Sequence, residues 1–121
     1  MSKPKYLIID DDMVFSLWLK KNMEDLYPNI EHLNSRDNTL EGLFDIQREH
    51  PDLLFLDQYI DGLDGFDVLD LMKHQPKIIM ISSDKIDVAK LENYPHVIGF
   101  LEKPVSLDQL KTLVQSSGLA G

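Results

Sequence analysis

Short apolar runs of strand length alternate along the chain with segments of helical periodicity, and this alternation restricts the fold more than any other feature. Four runs contain almost only apolar residues, at 6–9, 53–56, 78–81 and 97–101. A weaker candidate covers 30–33. Runs without polar interruption are typical of strands that are buried on both faces, as in a parallel sheet.

The segments between these runs have helical spacing. In the first three helices the spaced residues are Phe15, Leu19, Met23 and Leu26, then Leu40, Leu43, Phe44 and Gln47, then Phe66, Leu69 and Met72. A fourth helix is predicted over 85–92, and a fifth begins at Ser106, where the spacing to Gln109 resembles a capping box. The unit βα therefore occurs five times. This order predicts an α/β fold with a doubly wound parallel sheet, right-handed crossovers and helices on both faces.

Length and composition exclude several classes of protein. The 121 residues predict one domain over 1–121, with 116–121 as a linker stub or a natural end. No apolar run reaches the roughly 20 residues of a membrane helix. The chain has no cysteine, and its four histidines are scattered without ligand spacing. A net charge of −9 argues against direct nucleic-acid binding. We expect a cytoplasmic protein that contacts neither membrane nor nucleic acid.

Chemically reactive side chains follow four of the five predicted strands. They are Asp10, Asp11 and Asp12 after the first strand, Asp57 after the third, Ser82 after the fourth and Lys103 after the fifth. In doubly wound sheets, ligands bind beyond the carboxyl ends of the strands. We therefore expect these side chains to share one crevice.

This set of residue types is suited to phosphoryl transfer. Carboxylates are hard oxygen ligands for Mg2+, an ion that takes a few carboxylates, waters and a substrate phosphate. The metal and Lys103 would neutralise charge on the transferring group, and Ser82 could hydrogen-bond a phosphoryl oxygen. Taken singly, each residue has a plainer explanation: Ser82 could cap the fourth helix, and Lys103-Pro104 could be a loop. Four suitable residue types at four strand ends favour the functional interpretation.

The chain resembles the receiver domain of bacterial two-component response regulators. The matching pieces are LIIDDD, LLFLD, DGFDVL, IIMISS and FLEKP, and they cover nearly the whole chain in order. The resemblance implies the flavodoxin-like strand order 2-1-3-4-5.

The resemblance also implies a role for each residue of the crevice. By this resemblance Asp57 is the phosphoacceptor, and Asp10 and Asp11 hold Mg2+ together with Asp57 and the backbone carbonyl of Tyr59. Lys103 contacts the phosphate, and the peptide bond before Pro104 is cis. Ser82 is the switch hydroxyl and Phe100 is the switch aromatic. Asp12 is not one of the metal ligands that the resemblance implies. We interpret it as the start signal of the first helix, where a negative charge is favourable.

The implied function is a phosphorylation switch, not an enzyme with its own substrate, although the domain would assist its own phosphorylation and dephosphorylation. The phosphodonor would be a sensor histidine kinase or a histidine phosphotransfer protein. Output would pass through the face formed by helix four, strand five and helix five, to a downstream protein or a linked effector domain. The same face could form a homodimer.

Several positions depart from the usual pattern of the family, and one of them is Ser82, where the switch hydroxyl is usually that of threonine. Asp61 stands where proline is common, so the loop QYIDGLDG is expected to be more mobile. Asn38 stands where glycine is usual, and Asn tolerates left-handed geometry. Pro95 is expected to shorten the fourth helix, which belongs to the face that relays phosphorylation in this family.

Two other functions compete with the switch. A Mg2+-dependent phosphatase would use Asp10 as the nucleophile and Asp12 as its partner, but such enzymes need a longer chain with a cap. A receiver-like binding module would act without phosphorylation, yet it would have no need for the intact acidic set. A flavodoxin-type cofactor site is weaker still, because the acidic first loop would repel the flavin phosphate.

Overall fold

Five parallel strands form one sheet in the order β2-β1-β3-β6-β7 in the computed structural model, which describes residues 3–120. The predicted order 2-1-3-4-5 is confirmed, because β6 and β7 are the fourth and fifth strands of this sheet. A separate two-stranded hairpin is formed by β4 and β5. The strands are β1 (Lys5–Ile9), β2 (Glu31–Arg36), β3 (Leu53–Asp57), β4 (Tyr59–Ile60), β5 (Leu63–Asp64), β6 (Lys77–Ser82) and β7 (Val97–Glu102).

The central strand β3 is buried along its whole length, as its continuous apolar sequence predicts. Because successive side chains point to opposite faces, the strands supply two separate cores. Tyr6, Ile8 and Phe55 belong to the core on one face, and Leu7 and Leu54 belong to the core on the other. Each large apolar side chain that is fully buried contributes about 1.5–3 kcal/mol. The prediction of helices on both faces of a parallel sheet is therefore confirmed.

Four α-helices cover the sheet: α1 (Met13–Leu26), α2 (Thr39–Glu49), α3 (Gly65–Asp70) and α4 (Leu107–Ser116). A side-chain oxygen at each start accepts a hydrogen bond from the first turn; the capping residues are Asp12, Asn38, Asp64 and Ser106. Asp12 thus starts α1, as we predicted. None of the helices in the described part of the chain combines the length and apolar character that a bilayer crossing requires.

The predicted fourth helix, over 85–92, is wrong as an α-helix. The structure has a short 3-10 helix at Val88–Asn93, and none of its residues is buried. The packing in this region comes from Ile86, which precedes the helix and is buried. Tyr94, which precedes Pro95, has φ −130° and ψ 77°, outside the helical region, so the 3-10 helix ends there, as the sequence indicates. The predicted output face of the fourth helix, fifth strand and fifth helix would therefore consist of this 3-10 helix, β7 and α4.

The apolar spacing of α2 predicts the helix correctly but does not identify its buried face. The buried residues are Thr39, Gly42, Asp45 and Ile46. Leu40 and Phe44, which set the predicted spacing, are exposed. A Cβ on Gly42 would collide with the side chain of Ile9, so only glycine lets this face approach the sheet.

The chain after α4 packs on the domain as far as the structure describes it. Ser117 is fully buried, and its hydroxyl donates a hydrogen bond to the carbonyl of Val114. Leu119 and Ala120 pack against the core. The described part of the expected stub therefore contributes to the core, whereas Gly121 lies outside the described residues.

Candidate functional site

Three carboxylates meet at the carboxyl ends of β1 and β3. One oxygen from each of Asp10, Asp11 and Asp57 lies within 4.8 Å of the other two. Asp10 is 0% exposed and Asp57 is 8% exposed, whereas Asp11 is open to solvent. The cluster therefore has a buried side and a solvent side, so a ligand can reach it from water.

The buried carboxylate of Asp10 is only partly satisfied by the protein. Its Oδ1 accepts a hydrogen bond from the backbone N–H of Asp12 at 2.8 Å. Its Oδ2 lies 3.0 Å from Nζ of Lys103 as an ion pair, but it accepts no well-oriented hydrogen bond from the described residues. A buried oxygen in this state suits a hard cation, and so do the neighbouring carboxylates. The residues present therefore fit Mg2+, the metal that the resemblance implies.

The pKa of Asp57 is raised from 3.8 to about 7, first by burial of the carboxyl and then by the negative charge of Asp10. Lys103 and a backbone hydrogen bond from Tyr59 oppose this shift but do not cancel it. The amide of Tyr59 donates to Oδ1 of Asp57 at 3.4 Å. An excess of negative charge thus remains at the site for a cation to neutralise.

Lys103 is held by contacts on several sides. Its Nζ lies 3.0 Å from Asp10 Oδ2 and 3.6 Å from Asp12 Oδ2. The same ammonium lies 4.5 Å from the ring centroid of Phe15, a distance at which a cation is attracted to an aromatic face. The Lys103–Pro104 peptide bond is cis, the isomer that the resemblance implies. The contact with Phe15 was missed from the sequence, where Phe15 was only one member of an apolar stripe.

The remaining predicted site residues lie at the same edge of the sheet. Ser82 is buried at the end of β6, and its Oγ accepts a hydrogen bond from the amide of Asp84 at 3.0 Å. Phe100 lies on β7 opposite Met80, half-buried against the core. Tyr59 follows Asp57 by two residues and exposes its ring. Ser82 therefore ends β6 at the carboxyl edge of the sheet, and Phe100 lies two residues before the end of β7.

The segment after Asp57 is a tight hairpin and not an open loop. Asp61 and Gly62 both have positive φ, of 55° and 72°, as a type I′ turn between β4 and β5 requires. Asp61 Oδ2 also accepts a hydrogen bond from the amide of Thr39 at 2.9 Å, which joins the hairpin to the start of α2. The dipeptide Asp-Gly after apolar residues is a strong hairpin signal, and our sequence analysis overlooked it.

Substitution of Asp61→Pro, which would supply the residue common in the family, is expected to lower the free energy of unfolding by about 2 kcal/mol. Proline fixes φ near −65°, whereas this position has φ 55°, and the acceptor for Thr39 would be lost. Asp61→Asn should cost less than about 0.5 kcal/mol, because Asn tolerates the left-handed region and keeps an acceptor. Urea unfolding of the three proteins measures the difference. Equal stabilities for the Pro and Asn variants would contradict the hairpin.

Known proteins with similar sequences belong to one signalling family. Residues 6–115 match the family described as the response regulator receiver domain. A response regulatory protein of Vibrio cholerae is 30% identical over 108 residues, which are 86% of this chain and 41% of that protein. Sporulation initiation phosphotransferase F of Bacillus subtilis is 28% identical over 95% of this chain and 94% of its own length. The chain spans less than half the length of the Vibrio protein.

Solved structures have the same fold. The response regulatory domain of mrkE from Klebsiella pneumoniae superposes with a TM-score of 0.83 over 96% of both chains, at 23% identity. The signal receiver domain of a Luxo repressor protein from Vibrio parahaemolyticus gives a TM-score of 0.81 over 95% of this chain and 89% of its own, at 24% identity. These two likenesses show the fold, and the sequence match over 6–115 shows the family. The chain belongs to the receiver domains of the response regulators, which serve phosphorylation-based two-component signalling.

Proposed function

We propose that this protein is a phosphorylation switch whose phosphoacceptor is Asp57. The observation that carries the proposal is the position of Asp57 beside two further carboxylates, Asp10 and Asp11, with the ammonium of Lys103 ion-paired to Asp10. Asp57 lies at the end of a fully buried strand, so its carboxylate is held in place while one side faces the crevice. Mg2+ held by Asp10, Asp11, Asp57 and the backbone carbonyl of Tyr59 would supply positive charge toward the phosphoryl oxygens.

The transfer step begins when a carboxylate oxygen of Asp57 attacks the phosphorus of a phosphohistidine. A P–O bond forms as the P–N bond breaks, and the imidazole that leaves takes up a proton from solvent. Lys103 then moves its ammonium from Asp10 toward the new phosphoryl oxygens, which carry more negative charge. Hydrolysis by water reverses the modification, so Asp57 is regenerated as a carboxylate.

The switch consists of Ser82 and Phe100. In the unmodified protein the hydroxyl of Ser82 accepts a hydrogen bond from Asp84, and Phe100 is half-buried. A phosphoryl group on Asp57 offers Ser82 a stronger acceptor, and movement of Ser82 leaves room for Phe100 to turn inward. Phosphorylation therefore shifts the equilibrium between two existing conformations. The size of the shift is the difference in free energy between the contacts that the two conformations make with the phosphate.

The domain, on this proposal, occupies residues 1–121 and works in the cytoplasm. Its phosphodonor is a sensor histidine kinase or a histidine phosphotransfer protein. The surface that changes includes the 3-10 helix, β7 and α4, and it contacts a downstream protein, a linked effector domain or a second copy of the chain. Direct contact of this domain with nucleic acid or membrane is not part of the proposal.

Incubation with acetyl phosphate and Mg2+, followed by intact mass measurement, is expected to give one phosphoryl adduct per chain. The adduct should disappear in Asp57→Asn and when Mg2+ is chelated, because the nucleophile or the neutralising charge is then missing. Asp25→Asn is the matched control, since Asp25 is exposed and lies outside the carboxylate cluster. It should retain the adduct.

Two other results would replace the proposal. An adduct that survives Asp57→Asn but is lost in Asp10→Asn would identify Asp10 as the nucleophile and favour the phosphatase. A folded protein that forms no adduct with either acetyl phosphate or a phosphorylated histidine phosphotransfer domain would favour a binding module that acts without phosphorylation.

A further inference from the structure

An apolar groove lies between α2 and the segment that follows α3, away from the carboxylate cluster. Its apolar walls include Leu40, Leu43, Phe44, Leu71 and Met72, and its cavity measures about 580 Å3. Three of these side chains are large and exposed: Leu40 by 64%, Phe44 by 58% and Leu71 by 67%. A contiguous apolar surface of this kind marks an interaction site more often than chance exposure.

The orientation of α2 that exposes these residues is fixed by contacts on its opposite side. Gly42 packs on Ile9, where no larger residue fits. Asp45 is buried and binds Arg36 at 2.6 Å and Arg48 at 2.7 Å. The helix therefore cannot rotate its apolar residues inward without separating the buried carboxylate of Asp45 from Arg36 of β2. α3 ends at Asp70, after six residues, so no further turn of helix covers the groove.

The charge of the groove differs from that of the rest of the molecule. None of the described residues that line it is acidic, although the chain has 21 acidic residues and a net charge of −9. Its polar lining consists of Gln47, His50, Lys73 and His74. Lys73 forms no ion pair with a residue of the range 3–120. The groove is thus complementary to an apolar ligand that carries carboxylates.

We propose that this groove binds an acidic amphipathic helix of a partner protein. The apolar residues of that helix, spaced at i, i+4 and i+7, would cover Leu40, Phe44 and Leu71, and its carboxylates would face Lys73. A second copy of this chain is a poorer occupant, because its own groove has no carboxylate among its described lining residues to pair with Lys73. The binding does not require Asp57 to be phosphorylated, so the inference goes beyond the proposed function and can be tested on the unmodified protein.

The probe is a displayed library of helical peptides about four turns long, with apolar residues kept on one face and every other position randomised. Selection on the unmodified protein should enrich Asp and Glu beside the apolar face. The best peptide, made synthetically, should bind at least about tenfold more weakly to Phe44→Ser and about fivefold more weakly to Lys73→Glu. Leu17→Ser is the matched control, because Leu17 is 68% exposed but lies on α1, and its affinity should not change.

Other outcomes would overturn the inference. Enrichment of peptides without carboxylates, no enrichment, or equal loss of binding in Leu17→Ser and Phe44→Ser would each contradict it. A dimer in sedimentation equilibrium that Phe44→Ser dissociates would assign the groove to a second copy of the chain. Phe44→Ser, Lys73→Glu and Leu17→Ser all alter exposed side chains. Unchanged unfolding midpoints will verify that the three variants remain folded.

Discussion

Asp57→Asn is expected to raise the free energy of unfolding by about 2–4 kcal/mol at pH 8 without Mg2+, although it removes the proposed phosphoacceptor. The ionised carboxyl of Asp57 is buried beside Asp10, and this environment raises its pKa to about 7. Asn has nearly the same shape but no charge, so the desolvation penalty and the repulsion disappear together. The proposed functional residue is therefore expected to reduce stability.

The sign of this effect determines its pH dependence. Between about pH 4 and pH 7 the folded protein binds more protons at Asp57 than the unfolded chain does, because the folded pKa is the higher one. The contribution of Asp57 to stability is greatest below the lower limit of this window and falls as the pH rises through it. The difference in the free energy of unfolding between Asp57→Asn and the natural protein, called the gap below, should therefore appear from about pH 4 and reach its full size above pH 7.

Urea unfolding of both proteins across this pH range measures the gap. Asp25→Asn is a suitable control, because Asp25 is exposed and belongs to no described ion pair; its effect should stay within about 0.5 kcal/mol. Mg2+ should narrow the gap, since it stabilises the natural protein by binding to the folded state. A pH-independent gap, or a less stable Asp57→Asn protein at pH 8, would contradict the raised pKa.

Lys103→Met should lower the free energy of unfolding by about 3 kcal/mol at neutral pH without Mg2+. Lys103 is 16% exposed and pairs with Asp10, which is 0% exposed, so its removal leaves a buried carboxylate without its cation. Met retains the length and apolar part of the side chain, which separates the loss of charge from a loss of packing. The favourable contact of the ammonium with the ring of Phe15 is lost as well.

Lys20→Met is the matched control for Lys103→Met. Lys20 pairs with Glu24 at 3.8 Å, but both side chains are exposed, so the change should cost less than about 0.5 kcal/mol. Mg2+ at about 100 times its dissociation constant should restore about 2.7 kcal/mol to Lys103→Met by binding the folded state. Equal costs for the two lysine variants would show that Lys103 does not balance the carboxylate cluster. No recovery with Mg2+ would contradict a metal site at these carboxylates.

The parallel α/β class and the position of the carboxylate cluster could be predicted because both follow from local patterns, and the strand order was implied by the resemblance to receiver domains. Continuous apolar runs such as 53–56 identify buried parallel strands, and parallel strands bring their carboxyl ends to one edge. Asp10 and Asp57, 47 residues apart in the sequence, could therefore be assigned to one site before any distance was known. The turn-forming pair Asp61-Gly62 carried an equally local signal, so its hairpin was predictable in principle.

Helix identity also follows from local spacing, but the buried face of a helix depends on what lies beneath it. In α2 the apolar spacing of Leu40 and Phe44 is correct for a helix, yet the face toward the sheet contains Gly42 and Asp45. Close approach to Ile9 selects Gly42, and the ion pair with Arg36 compensates the burial of Asp45. Neither partner is adjacent in sequence.

The sequence by itself determined the α/β architecture and the residue types at the edge of the sheet, because both depend on short-range periodicity and on chain direction, whereas the strand order was implied by the resemblance to receiver domains. Only the tertiary structure decided that Phe15 lies against Lys103, that Asp61 joins the hairpin to α2, and that the segment before Pro95 is a short 3-10 helix. The first two of these features depend on distances between segments that are far apart in the chain. Packing and charge compensation set such distances, and neither leaves a periodic pattern in the sequence.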